Sequence, residues 1–233
     1  MRIGILFSGG KDSTFTLSYY LEQAWDVKCL ISLLPKNTES WMFQAPDLKI
    51  TQMQAKALRL PLITQETNGE KEEELDDLKK ALQRAKKEYK LDGVAVGALA
   101  SDYQHERVNR VCHELDLKCY APLWHKNQGM LLKELILSGF DIRMVSIAAE
   151  GLDKSWLGKS LTLEDYEKLL ERHKQIKIHI GGEGGEYETL VFDGPLFKER
   201  IEVMKSHLEM ENGCTGKWVV EKAELLGKKR SLS

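Results

Sequence analysis

The stretch Ser8-Gly9-Gly10-Lys11-Asp12-Ser13 follows a short apolar run, Ile3-Gly4-Ile5-Leu6-Phe7, and precedes a helical pattern from Thr14 to Gln23. The order is strand, glycine turn, helix, and it commits the N-terminal part to a βα unit. Adjacent glycines bring backbone close to a ligand without a Cβ in the way. The free N–H groups of such a turn and of the following helix N-terminus converge on one spot, which favours an anion. Ser8 and Ser13 add hydroxyls and Lys11 adds a positive charge, so the turn reads as a phosphate cradle.

Two common cradles are excluded by spacing. A Walker-type loop needs Gly, four residues, then Gly-Lys-Ser/Thr. Here Ile5 stands where the first Gly belongs, and Asp12 follows Lys11. The dinucleotide fingerprint G-x-G-x-x-G is absent as well. The turn does resemble the PP-loop, S-G-G-x-D-S, of the ATP pyrophosphatases, in the same slot between first strand and first helix.

With 233 residues the chain is long enough for one large domain or two modest ones. A net charge of −2 supplies no basic field, so direct nucleic-acid binding is not expected. The four cysteines, Cys29, Cys112, Cys119 and Cys214, form no C-x-x-C pair, which argues against zinc or a dithiol centre and for packing roles. No leader-like or membrane-spanning apolar run is present, and the chain is expected to be cytoplasmic, with no membrane partner.

Along the chain, strands are expected at Val27–Leu34, Pro61–Thr64, Val94–Val96 and Lys118–Pro122. Helices are expected at Leu48–Leu58, from Lys71 through Tyr89, and around Val108–Leu115. Five strands alternating with helices predict a five-stranded, parallel, doubly wound α/β sheet. Lys36 to Phe43, which includes Ser40 and Met42, follows a strand's carboxyl end. It is a plain connection or, as such ends often are, a ligand loop. The loop from Gly97 to Arg107 follows the fourth strand and is expected to face the cradle. His105-Glu106 and His113-Glu114 each lack the second His of a zinc-protease motif, and Cys112-His113 is no dyad because adjacent helical residues point apart.

The βα rhythm changes near Trp124. A helix at Met130–Leu137, a strand at Ile142–Ala149, a Thr162–Asp165 capping box with its helix, and strands at Ile176–Ile180, Leu190–Phe192, Ile201–Leu208 and Trp218–Leu225 describe a smaller mixed α+β domain. The boundaries expected are 1–125, 126–226 and a disordered basic tail, 227–233. Within the second domain, Gly181-Gly182-Glu183-Gly184-Gly185-Glu186-Tyr187-Glu188-Thr189 packs four glycines and three glutamates into nine residues. One reading is a flexible hairpin turn with solvated acids; the other is a loop whose backbone approaches a ligand while its acids hold Mg²⁺ or meet a cationic substrate.

Together, Ser8–Ser13, Ser40-Trp-Met-Phe43, Gly97–Gln104 with Arg107, and Glu183–Thr189 resemble the diphthamide synthase (diphthine–ammonia ligase) branch of the PP-loop ATP pyrophosphatases over nearly the whole chain. One departure is Gln44, where that family has His. The resemblance implies an adenine nucleotide alpha hydrolase-like sheet. It implies ligase chemistry: ATP activates the diphthine carboxylate of translation elongation factor 2 as an acyl-adenylate, and ammonia displaces AMP. On this reading Ser8, Gly9, Gly10, Lys11, Asp12, Ser13, Ser40, Met42 and Gly97 bind the nucleotide. Lys11, Asp12 and Arg107 are catalytic, and Asp12 holds Mg²⁺. Tyr103, Gln104, Arg107, Glu183, Glu186, Tyr187, Glu188 and Thr189 bind the substrate, the acids and the Tyr187 ring meeting its trimethylammonium group. Free ammonium is the expected nitrogen source, since no glutaminase module is visible. A tRNA thiolase-like enzyme and a non-catalytic ATP sensor are the alternatives, and the oligomeric state stays open, a homodimer included.

Overall fold

The structure is a computed structural model, described here for residues 1–35, 47–68, 73–97 and 102–228, with the side chains of 73 and 102–104 left aside. Ser40, Met42 and Gln44 lie outside the described residues. The chain divides into two compact units, Met1–Lys126 and Asn127–Ser233.

In the first unit, β1 (Arg2–Leu6), α1 (Lys11–Glu22), β2 (Asp26–Pro35), α2 (Leu48–Leu58), β3 (Leu62–Thr67), α3 (Glu73–Tyr89), β4 (Gly93–Ala95), α4 (Asp102–Glu114) and β5 (Lys118–Tyr120) follow in order. The sheet runs β3-β2-β1-β4-β5 and every pairing is parallel. Parallel strands covered on both faces must be apolar throughout, and Ile3, Ile5, Leu30 and Ile31 are all buried. Alternation sends Cys29, Ile31 and Leu33 into one core with Leu78 and Leu82 of α3 and Val108, Val111 and Cys112 of α4. The intervening Leu30, with Ile3 and Ile5 of β1, points to the opposite face. Strand order reverses at β1, which has β2 on one side and β4 on the other, so the end of β1 opens at the topological switch point.

The second unit holds α5 (Gln128–Leu137), β6 (Asp141–Ala148), α6 (Leu163–Ile176), β7 (Tyr187–Asp193), β8 (Glu199–Met210) and β9 (Thr215–Gly227). Its sheet is antiparallel, in the order β7-β6-β9-β8. The capping box forms: the Thr162 hydroxyl accepts from Asp165 N, and the Asp165 carboxylate accepts from Thr162 N. Trp156 is buried with Lys159 and Arg172 held 4.9 and 4.8 Å from its ring centroid.

Two expectations need correction here. Ile176–Ile180 alternates like a strand but forms none: α6 continues through Ile176, ends at the left-handed Lys177, and Ile178 O takes a 2.8 Å contact from His173 Nδ1. Here the ladder partners of β6 are β7 and β9, so the segment finds its hydrogen bonds locally. The basic tail is anchored at its start, because Gly227 closes β9 and Lys228 Nζ reaches Asp193 Oδ1 at 2.5 Å and Gly194 O at 2.6 Å. Among the described residues no helix is long and apolar enough to cross a membrane.

Leu82 is fully buried at the centre of the α3 packing face. Leu82→Ala is expected to cost about 2–5 kcal/mol, read from urea denaturation of the first unit.

Candidate functional site

The Ser8–Ser13 turn is built by fixing what precedes it. Past the end of β1, Phe7 N donates to Ile31 O at 2.8 Å and Phe7 O accepts from Ser32 Oγ at 2.5 Å, so the chain stays pinned to β2. Gly9 then turns with φ +81°, and Gly10, extended at φ −78° and ψ 176°, is the N-cap of α1. No side chain caps this helix. Its first N–H groups therefore keep their partial positive charge facing out of the helix end. Ser8 Oγ and Ser13 Oγ lie 3.3 Å apart, and Ser13 Oγ also donates to Gly10 O at 3.2 Å. Lys11 is only 5% exposed, and its Nζ sits 2.6 Å from Asp12 Oδ2. The six residues thus form a compact polar patch with donors, one buried cation and one acid.

Gly97, just past β4, closes on this turn. A Cβ there would lie 2.9 Å from Asp12 C and 3.0 Å from Ser13 N, so only glycine lets the strand end approach the α1 backbone this closely. Gln54 was not singled out by the sequence reading. It lies on α2, is fully buried, and its Nε2 donates to Gly9 O at 2.8 Å. The available signal was a glutamine on the stripe that α2 buries through Ile50, Thr51, Ala55 and Leu58. Asp102 to Arg107, read as part of a loop, is instead the start of α4. Arg107 is half-buried. The Tyr103 and Gln104 side chains lie outside the described residues.

Mg²⁺ bound through substrate phosphates needs only one or two carboxylates. No cluster of three His, Cys, Asp or Glu able to hold a metal exists among the described residues; Asp12 is the carboxylate within the Ser8–Ser13 turn.

In the second unit, the glycine–glutamate segment is largely occupied with building itself. Glu186 accepts His179 N on Oε1 at 2.9 Å and Gly184 N on Oε2 at 2.8 Å. His179 Nδ1 accepts from Gly181 N at 3.2 Å and Glu183 N at 3.4 Å, which makes Nδ1 the acceptor and leaves the ring proton on Nε2. Tyr187 is 2% exposed and donates its hydroxyl to Ile180 O, so its ring is packed and presents no face to a cation. Tyr187, Glu188 and Thr189 belong to β7, and Thr189 is buried opposite Met144. Both Glu186 and Tyr187 thus hold the segment's backbone in shape. Glu183 is exposed, and Glu188 is half-buried in a row with Ser146 of β6 and Lys217 of β9. Burial raises the Glu188 carboxyl above the usual range, with Lys217 pulling the other way.

Folding also pairs Cys112 with Cys119, which sequence spacing did not reveal. Their side chains hydrogen-bond, and that contact together with burial pushes the Cys112 thiol up. Cys112 is wholly buried in the α3–α4 core and packs there, while Cys119 is half-buried and the same contact holds its thiol below the usual range.

Two outcomes follow from this geometry. Gly97→Ala forces the backbone of Asp12 and Ser13 to shift and is expected to cost about 1–3 kcal/mol in chemical denaturation. For Glu188, the folded protein favours the protonated form, so its contribution is present at low pH and lost as pH rises through the raised value. Glu188→Gln should therefore melt above the parent protein at about pH 8 and level with it at about pH 4; equal melting at both would contradict the buried setting of this carboxyl.

Comparison with known proteins covers most of the chain. The family model of the diphthamide synthase N-terminal domain matches residues 1–119, and that of the diphthamide synthase C-terminal domain matches residues 124–226. A mouse protein named diphthine–ammonia ligase is 37% identical, covering 91% of this chain and 86% of its own length. A human protein of the same name is 36% identical over 89% of this chain and 85% of its own. A fission-yeast (Schizosaccharomyces pombe) protein, also of that name, is 37% identical over 86% of this chain but only 36% of its own length. The chain belongs to the diphthamide synthase family.

Proposed function

We propose that this chain is a diphthine–ammonia ligase. It uses ATP to amidate the diphthine carboxylate of translation elongation factor 2, through an acyl-adenylate, with release of AMP and pyrophosphate. The observation that supports this most directly is the Gly9-Gly10 turn feeding an uncapped α1 at the switch point, in a family member matched in both its domains.

The chemistry asks for charge control more than for a covalent step. A carboxylate is a poor acyl donor to ammonia because oxide is a poor leaving group; an adenylate supplies a good one. The carboxylate attacks the α-phosphorus in line while pyrophosphate departs, and positioning with charge stabilisation lowers that barrier. On this reading the N–H groups of Gly10 to Ser13, with the Ser8 and Ser13 hydroxyls, hold the departing pyrophosphate. Lys11, paired with Asp12 at rest, turns its ammonium to the negative charge that develops on the phosphates. Asp12 would hold Mg²⁺, whose chemistry is to neutralise phosphate charge and orient the phosphate oxygens. Arg107 suits the α-phosphate or the incoming carboxylate, since its guanidinium makes bidentate contacts. Glu183, which is exposed, and Glu188, half-buried in β7, suit the trimethylammonium group of diphthine. Ammonium is the nitrogen source, and the cytoplasm, where the factor works, is the compartment.

The test is AMP and pyrophosphate release from ATP, measured with diphthine-bearing factor and ammonium. Release that depends on the factor is expected, and ATP left intact in the complete mixture would end the ligase reading. Asp12→Asn keeps an oxygen for Lys11 and removes the charge; it is expected to lower the rate by about a hundredfold or more with an unchanged circular dichroism spectrum. Full activity of that variant would contradict the role of Asp12. Replacing ammonium by glutamine should abolish turnover, and turnover with glutamine alone would reassign the nitrogen donor.

A further inference from the structure

We infer that Gln54 is a positioning residue for the nucleotide loop: its side-chain amide sets the peptide of Gly9 and thereby the direction in which the first N–H groups of α1 point. The inference rests on the reading of Ser8–Ser13 as the ATP-binding turn.

A turn that offers its N–H groups to a ligand must direct a carbonyl the other way, into protein. An interior carbonyl without a donor is costly, because it has lost its water and gained nothing. Here the carbonyl is that of Gly9, and the donor is Gln54 Nε2, at 2.8 Å and 45 residues away in sequence. Glutamine is seldom fully buried, and Gln54 is 0% exposed, on a helix face otherwise made of Ile50, Thr51, Ala55 and Leu58. Gln54 also fills the space above the Gly9 Cα: a Cβ built there would lie 2.2 Å from Gln54 Oε1. Residue 9 therefore has two independent reasons to be glycine, its φ of +81° and the amide seated against it. The contact locks the peptide from the protein side and leaves the opposite side of the turn to the ligand. The charged groups nearest the loop in sequence, Lys11 and Asp12, are paired with each other, so a neutral amide completes the clamp without adding a charge beside the phosphates.

The test compares binding of α,β-methylene-ATP, a non-cleavable analogue, by titration calorimetry, with thermal melting of the same samples. Gln54→Met keeps length and apolar volume but removes the donor. Its dissociation constant for the analogue is expected to rise about tenfold, the scale of one unsatisfied interior carbonyl. A packing role alone would lower the melting temperature and leave the affinity of the folded protein unchanged, and that result would overturn the inference. Gln54→Glu supplies the second readout. Protonated, its carboxyl donates to Gly9 O; ionised, it faces the carbonyl with negative charge. Relative to the parent protein at each pH, its affinity should be near normal at about pH 5 and poorer than that of the Met variant at about pH 8. A pH-independent ratio would overturn the inference even if Gln54→Met does not fold. Absence of binding by the parent protein would instead overturn the nucleotide reading of the loop, and the role of Gln54 with it.

Discussion

The φ of +81° at Gly9 decides where the first turn of α1 points, and much of the first unit is arranged to hold it there. Ser32 fixes the carbonyl of Phe7 before the turn, Gln54 fixes the carbonyl of Gly9 within it, and Gly97 gives way so that β4 can end against the backbone after it. These supports come from β2, α2 and the end of β4, the elements that flank β1 or follow its neighbours in the sheet. The doubly wound order thus serves the loop by bringing distant segments to one strand end. Lys11 shows the electrostatic side of the same constraint. A cation that is 5% exposed needs an opposite charge, and the adjacent Asp12 supplies one.

What the sequence disclosed and what it hid divide along physical lines. The turn was legible because its chemistry is local: two glycines, two hydroxyls and a lysine between an apolar run and a helical pattern. The parallel sheet was legible because strands buried on both faces must be apolar. Gln54 was hidden because its meaning depends on a contact 45 residues away. Ile176–Ile180 misled because period-two alternation is necessary for a half-buried strand but does not create a ladder partner. Asp102–Arg107 looked like a loop because its polar composition gives helix propensity little to show, and tertiary packing of Val108 and Val111 settled it as the start of α4.

The glycine–glutamate segment carries a different lesson. Residue types that suggest ligand chemistry were partly recruited to satisfy the segment's own backbone. Glu186 answers two N–H groups, His179 two more, and the Tyr187 hydroxyl a carbonyl. Without such partners a run rich in glycine would lose much conformational entropy for little return. The network gives the segment's backbone groups partners within the segment itself. In Glu188 the raised carboxyl reflects burial, which a bound trimethylammonium group would offset by favouring the ionised form.

The proposed reaction leaves a chemical mark on its acceptor, and mass spectrometry of that acceptor is the most direct measurement. Diphthine-bearing elongation factor 2 is incubated with the protein, ATP and ammonium, and the peptide carrying the modified histidine is analysed. The account predicts replacement of the carboxyl hydroxyl by an amino group, dependent on both ATP and ammonium, with the nitrogen isotope of labelled ammonium recovered in the product. An acceptor peptide that keeps its carboxylate under these conditions, with the protein folded and ATP bound, would contradict it.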